Sequence, residues 1–361
     1  MLSEPKKPVE IWINEDLLLP NVRLAPLLMH LSPLDTNPEL QFWNLLRDKL
    51  PELVEVHRFK NFADAGQIVV TPHFISDYYN RKREGELHKF RRKVVASKRT
   101  LVTFSNSLEC KPYEGEIFFS ASTYRNKREK AIPMPPWIFD LGGKITPIPK
   151  PSIPTVGFVG NTEYPSRLNS LILRYIKFSD SMVNWMAGSL FVNRNLNMAR
   201  RRLIARLVRK KVIHEVQKAQ NLQTFLIERK GDFFDLPWEE KQRRRAEYIE
   251  SIQNNAYTLV MRGDDNGCYQ PWEVMSAGRI PVFIDTNTFL PDLEEIKWED
   301  FCVIVPFSEV HRIGEYIQAF HDRLSEEEFA EVCRKSRAAF EQLLPHNFIL
   351  RILEIIANST N

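Results

Sequence analysis

Long apolar runs are missing from this chain of 361 residues. Nowhere do about 18 apolar residues follow one another, so no segment reads as a membrane-spanning helix. The opening MLSEPKKPVE carries lysines but no apolar stretch behind them, so no signal peptide is read there. Cysteine is scarce. Cys110, Cys268, Cys302 and Cys333 form no CxxC pair and no metal-module spacing, and read as reduced thiols. These absences lead us to expect a protein of the cytoplasmic side, at most peripheral at a membrane. An excess of one charge sign is missing too. The 50 Lys+Arg and 46 Asp+Glu leave +4, too small a bias to imply a nucleic-acid partner.

What remains is the composition of a globular α/β protein. Hydrophobic residues make up 43 % and charged residues 27 %, and the length allows two cores. In the first part, Val9–Ile13, Glu52–Val56, Gln67–Pro72, Thr100–Ser105 and Glu116–Ser120 read as strands, and 39–50 and 84–96 as helices. Continuous apolar runs such as Ile68-Val69-Val70 suit strands buried on both faces of a parallel sheet. Proline then crowds the chain at 133, 135, 136, 147, 149, 151 and 154. Proline stiffens a connection, so the boundary is placed near residue 150. This gives a Rossmann-like domain over 1–150, a second over 151–340 and a C-terminal helix over 341–361.

The second part restarts the alternation. Strands are expected at Thr155–Gly160, Phe225–Ile227, Tyr257–Met261, Ile280–Ile284 and Phe301–Val305. Helices are expected from Pro165, over 195–220, over 237–253, over 269–277 with Gly278 as its stop, and through the tail.

The informative stretch is Tyr257 to Ile284, YTLVMRGDDNGCYQPWEVMSAGRIPVFI. An apolar strand ends at Met261, and Arg262 follows at its carboxyl end. Gly263 to Gly267 is a turn, and a helix starts near Tyr269. A helix N-terminus and a guanidinium fork both suit phosphate, so together they would make a diphosphate site without metal. Glu273, on the first turns of that helix, can accept hydrogen bonds from both hydroxyls of a ribose. The bland reading pairs Arg262 with Asp264 and leaves Glu273 solvated. Asp264 and Asp265 read as turn formers rather than metal ligands. Asn161 and Thr162 read equally as helix caps and as residues lining a ligand cleft.

This segment resembles the signature of the exostosin-family glycosyltransferases (glycosyltransferase family 47). The resemblance rests on Arg262-Gly263, Glu273, Gly278-Arg279-Ile280-Pro281-Val282-Phe283-Ile284, Leu290-Pro291, Ile296-Lys297-Trp298 and Gly157-Phe158-Val159-Gly160, and covers about 155–310. It implies a GT-B fold, two Rossmann-like domains facing each other across a cleft, with the donor held mainly by the second. It further implies an inverting transfer from a nucleotide-sugar, commonly a UDP-sugar, to a glycan or glycolipid hydroxyl, with no metal and no cofactor. The donor positions it carries over are Arg262, Gly263, Asn266, Tyr269, Gln270 and Glu273, with Asn161 and Thr162 beside them. The family often has Ser-x-Arg-x-x-Glu before its acidic residue. Here Cys268 and Gln270 stand in place of the Ser and the Arg.

An inverting transfer needs a general base. His73, Asp77 and Glu109, at strand ends of the first domain, are the candidates. The helix over 195–220 interleaves Arg200, Arg201, Arg202, Arg206, Arg209, Lys210 and Lys211 with Leu203, Leu207, Val208 and Val212. It reads as a solvated face, as a peripheral contact with anionic lipid or glycan through 198–211, or as a source of phosphate ligands. Two other functions stay open: a non-catalytic partner of a related transferase, and a peripheral anion-binding protein.

Overall fold

The computed structural model describes residues 5, 7–32, 42–106, 112–122, 131–136, 140–142, 146–163, 198–231, 233, 236–264, 266–288, 290–291 and 296–360. The chain divides into two units. The first takes in Met1–Phe139, Phe289–Pro291 and Glu341–Asn361, and the second Asp140–Thr288 and Asp292–Phe340. The division thus falls ahead of 146–154, and residues 341–361 join the first unit instead of standing by themselves.

The first unit is built on strands β1 (Val9–Asn14), β2 (Val54–Phe59), β3 (Ile68–Val70), β4 (Thr100–Ser105), β5 (Glu116–Ser120) and β6 (Ala131–Pro133). They form one six-stranded sheet in the order β2-β1-β3-β4-β5-β6, with every neighbouring pair parallel. Helices α1 (Phe42–Leu53), α2 (Ile75–Asn80) and α3 (Glu84–Ala96) fill the connections. All residues of β4 and β5 are buried, as continuous apolar runs require. Glu116 tolerates this because Arg91 of α3 grips it from Nε at 3.0 Å and Nη2 at 2.6 Å, with both side chains fully buried.

Two elements differ from expectation for clear reasons. α1 runs on to Leu53, so β2 starts at Val54 and not at Glu52. β6 lies inside the proline-dense stretch. Pro133 fits there because β6 is an edge strand, where a missing N–H breaks no inner ladder.

The second unit holds β7 (Thr155–Asn161), β8 (Gln223–Arg229), β9 (Tyr257–Val260), β10 (Ile280–Asp285) and β11 (Val303–Pro306). The order is β11-β10-β9-β7-β8, again all parallel. Helices α4 (Met198–Lys218), α5 (Trp238–Asn254), α6 (Gln270–Ser276), α7 (Ile313–Asp322) and α8 (Glu326–Gln342) belong to it, and α9 (Pro345–Thr360) packs on α1 and β4 of the first unit. Gly278 ends α6 at φ +61°, a conformation that favours glycine. The helix expected from Pro165 and residues Glu109, Cys110 and Asp265 lie outside the described residues. Cys268, Cys302 and Cys333 are free thiols. Among the described residues no helix is long and apolar enough to cross a membrane.

Both sheets therefore have the doubly wound order 2-1-3-4-5, extended by a sixth strand in the first. In such sheets the chain turns to opposite sides at the first and third strands, and the crevice at their carboxyl ends receives ligands. That point falls between β1 and β3 in the first unit and between β7 and β9 in the second.

Candidate functional site

In the second unit the switch point is bordered by the end of β7 and the loop after β9. Asn161 closes β7. Its Oδ1 accepts the Glu163 N–H at 2.8 Å, and its Nδ2 donates to the Gly231 carbonyl. The buried Thr162 donates its N–H to the Arg229 carbonyl at 3.2 Å. These two residues thus tie the exit of β7 to that of β8.

On the other side Arg262 is buried, and its guanidinium folds onto its own loop. Nε reaches the Gly263 carbonyl at 3.4 Å and Nη2 the Asp264 carbonyl at 3.3 Å. These contacts make Arg262 a shaper of the loop. Asn266, also buried, accepts the Thr286 hydroxyl at 2.7 Å and anchors the loop to the exit of β10. Gln270 donates to the Val159 carbonyl at 3.4 Å and accepts from the Cys268 thiol at 3.8 Å, so its amide stitches the loop to β7. Burial pushes that thiol up to about 11, which keeps it neutral at ordinary pH. Tyr269 is 54 % exposed at the start of α6. α6 itself has seven residues and no side-chain cap, so its dipole is short.

Glu273 is only 6 % exposed, which sets aside the solvated reading. Its Oε1 accepts from Arg245 Nη1 of α5 at 2.6 Å. Tyr248, one turn on, lies against the same carboxylate. Burial, and then the Glu273 charge, hold its phenol protonated well beyond its usual range. Arg245 was not singled out in the sequence, although a signal exists. Arg243 and Arg244 pair with Glu240 and Glu247 along the helix, whereas positions 241, 242, 248 and 249 offer Arg245 no acid. Its partner had to come from elsewhere.

The basic helix α4 turns arginines toward this loop. Arg202 Nε meets Asp264 Oδ2 at 3.1 Å, and Arg206 Nη1 lies 3.8 Å from Asp264 Oδ1. Arg209 Nη1 donates to the Asn161 carbonyl at 2.8 Å. Residues 202, 206 and 209 are spaced as one helix face. Three of the cations in the 198–211 stretch thus serve the unit's own loops. Two of them, Arg202 and Arg206, offset the charge of Asp264.

In the first unit, His73 joins the two sides of the switch point. Nε2 accepts the Leu19 N–H and Nδ1 donates to the Arg23 carbonyl, each at 2.9 Å. Burial lowers its proton affinity, and both ring nitrogens are committed to backbone. No nitrogen is left to take a proton from an acceptor. Asp77, on α2 just after β3, is half-buried. Burial lifts its carboxyl to about 6, against hydrogen bonding from the Phe74 N–H and the charge of Arg81. Separately, Glu10, Glu55 and His57, on β1 and β2, bring ligand atoms within 4.8 Å of one another.

Both units are thus doubly wound α/β sheets, and the second gathers a buried acid and a set of arginines around the segments that follow β7 and β9. Residues 155–320 match the family model described as the Exostosin GT47 domain. The matched stretch, just under half of the chain, lies almost wholly in the second unit and supports a glycosyltransferase. A search of curated proteins finds no match. The crystal structure of a glycosyltransferase from Rickettsia africae ESF-5 is similar at 10 % identity, over 99 % of this chain and 100 % of that one, with a TM-score of 0.42.

Proposed function

We propose that the enzyme moves a sugar from a UDP-sugar to a hydroxyl of a glycan or glycolipid, with inversion at the anomeric carbon and without a bound metal. The observation that carries this is Glu273. It sits beside the switch point, almost fully buried, with its carboxylate oriented by Arg245. A fixed carboxylate there suits the paired O–H donors of a ribose. The pairing of Asp264 with Arg202 and Arg206 favours the metal-independent reading, because those cations already offset its charge.

In the reaction the acceptor oxygen attacks the anomeric carbon. The bond from that carbon to the diphosphate oxygen breaks as the new one forms, and the acceptor proton passes to a base. Asp77 has the proton affinity this requires, since a carboxyl near 6 is ionised at neutral pH yet still basic enough to accept. The nucleoside diphosphate leaves, and its growing charge calls for preset cations. An alternative role, a non-catalytic partner of a related transferase, draws on Gln270, whose neutral amide cannot offset phosphate charge.

The test is a panel of nucleotide-sugars with a mixed glycan and glycolipid acceptor set, in excess EDTA, read by product mass. Transfer from a UDP-sugar is expected. Donor binding without transfer would favour the partner role, and no binding of any nucleotide would overturn both.

A further inference from the structure

We infer that Arg209 of α4 is the side chain that grips the diphosphate of the donor. The inference rests on the nucleotide-sugar reading above and names a residue for it.

Arg209 differs from its neighbours in what it lacks. Arg202 and Arg206, on the same helix face, meet Asp264. Arg209 has a backbone carbonyl, that of Asn161, on Nη1, and its buried Nε has no hydrogen-bond partner among the described residues. Among the described residues no carboxylate forms an ion pair with it. A guanidinium carries five N–H donors in a planar fork, and most of this fork is unused. Burying a charge without a counter-charge is unfavourable, and the proton affinity shows the strain. Burial, then Arg206, pull it down to about 10. A charge kept in such a place is best explained by a ligand that brings the missing anion.

The place fits that ligand. Asn161 ends β7, and Arg209 is held on its carbonyl, at the switch point of the sheet. The loop after β9 closes the other side, close enough for Asp264, Arg262 and Cys268 to influence the Arg209 charge. Across this crevice Gln270 spends its amide on Val159. An anchored fork with a free edge suits two phosphate oxygens at once. As the glycosidic bond to phosphate breaks, charge builds on the departing oxygen. A guanidinium already fixed there stabilises that charge without reorganising. Arg209 therefore contributes to binding of the free nucleoside diphosphate and, more strongly, to turnover.

The experiment compares the full-length protein with Arg209→Gln and Arg209→Lys by titration calorimetry and thermal melting, using UDP and inorganic pyrophosphate as probes. Arg209→Gln is expected to weaken both probes by roughly 10- to 100-fold, the range for loss of a charge-assisted bidentate contact. Arg209→Lys is expected to keep part of the affinity. The ligand-free melting temperature of Arg209→Gln is expected to hold or rise, because an unpaired buried charge is removed. Unchanged affinity in Arg209→Gln overturns the inference and leaves the nucleotide reading intact. A ligand-free melting temperature that falls in both variants, with affinity kept, makes Arg209 structural and also overturns it. Pyrophosphate binding that depends on Arg209 without any UDP binding upholds the anion site and overturns the nucleotide reading. No binding of either probe by the unmodified protein overturns both.

Discussion

Two arginines, one in each unit, show what pairing does to a cation. Arg91 in the first unit is fully buried and forks onto Glu116, which also accepts the Thr103 hydroxyl at 2.6 Å and the Tyr113 N–H at 2.7 Å. Tyr113 stacks over the guanidinium at 4.5 Å. The carboxylate of Glu116 has a donor from each of three residues. Such a group holds the sheet to its helix and has nothing to offer a ligand. Arg209 in the second unit is the reverse case, with one carbonyl and a buried Nε that has no partner among the described residues. Satisfied charges mark architecture, and unsatisfied ones at a switch point mark recognition.

The comparison breaks most visibly at Arg91. Removing one partner of a buried pair strands the other charge, so Arg91→Ala or Glu116→Ala should cost about 3–5 kcal/mol of stability by urea denaturation. A loss under about 1 kcal/mol would show that the pair is not what holds α3 to the sheet. Next in size is Glu273→Ala, expected to lose about 1–3 kcal/mol of UDP binding by calorimetry, more than it loses in folding. A large fall in melting temperature with unchanged affinity would place Glu273 with Arg91, among the architectural charges. Arg245→Met should weaken UDP as well, because it frees the Glu273 carboxylate to turn.

Asp77→Asn gives a smaller and pH-dependent effect on stability. The folded carboxyl titrates near 6, above its unfolded 3.8, so the folded state binds the proton more tightly. Its contribution to stability is fully present below the unfolded value and is lost as the pH rises through about 6. At pH 7.5 the asparagine variant should therefore melt at the same or a higher temperature, with the gain vanishing in acid. Turnover should collapse, and the acid limb of kcat/KM near pH 6 should go with it. An intact acid limb in the variant would remove Asp77 from the mechanism. The smallest effect belongs to Tyr269→Ala. This ring is 54 % exposed, and its loss should shift stability by under about 0.5 kcal/mol in a melting assay.

Much of the fold could be read from the residues. α3, β4 and β5 fall at their expected bounds because their apolar patterns are long and uninterrupted. β6 could not, since a three-residue edge strand among prolines has no period to detect. Nor could the joining of α9 to the first unit, which depends on a surface and not on chain order. At the site, the strand–turn–helix frame and Glu273 were legible because they are local. The partner of Glu273 was not, because Arg245 stands 28 residues upstream on another helix. His73 illustrates the opposite limit. Its residue type suggests a base, but only its two backbone partners reveal that its nitrogens are occupied. Arg262 is similar, for its fork is turned on its own loop.

The most direct test is calorimetric titration of UDP into the full-length protein and its Glu273→Ala variant in excess EDTA. The account predicts binding without divalent metal that the variant weakens by roughly tenfold or more, a larger loss than it suffers in folding. Equal affinity in the two proteins, or no affinity in either, would contradict it.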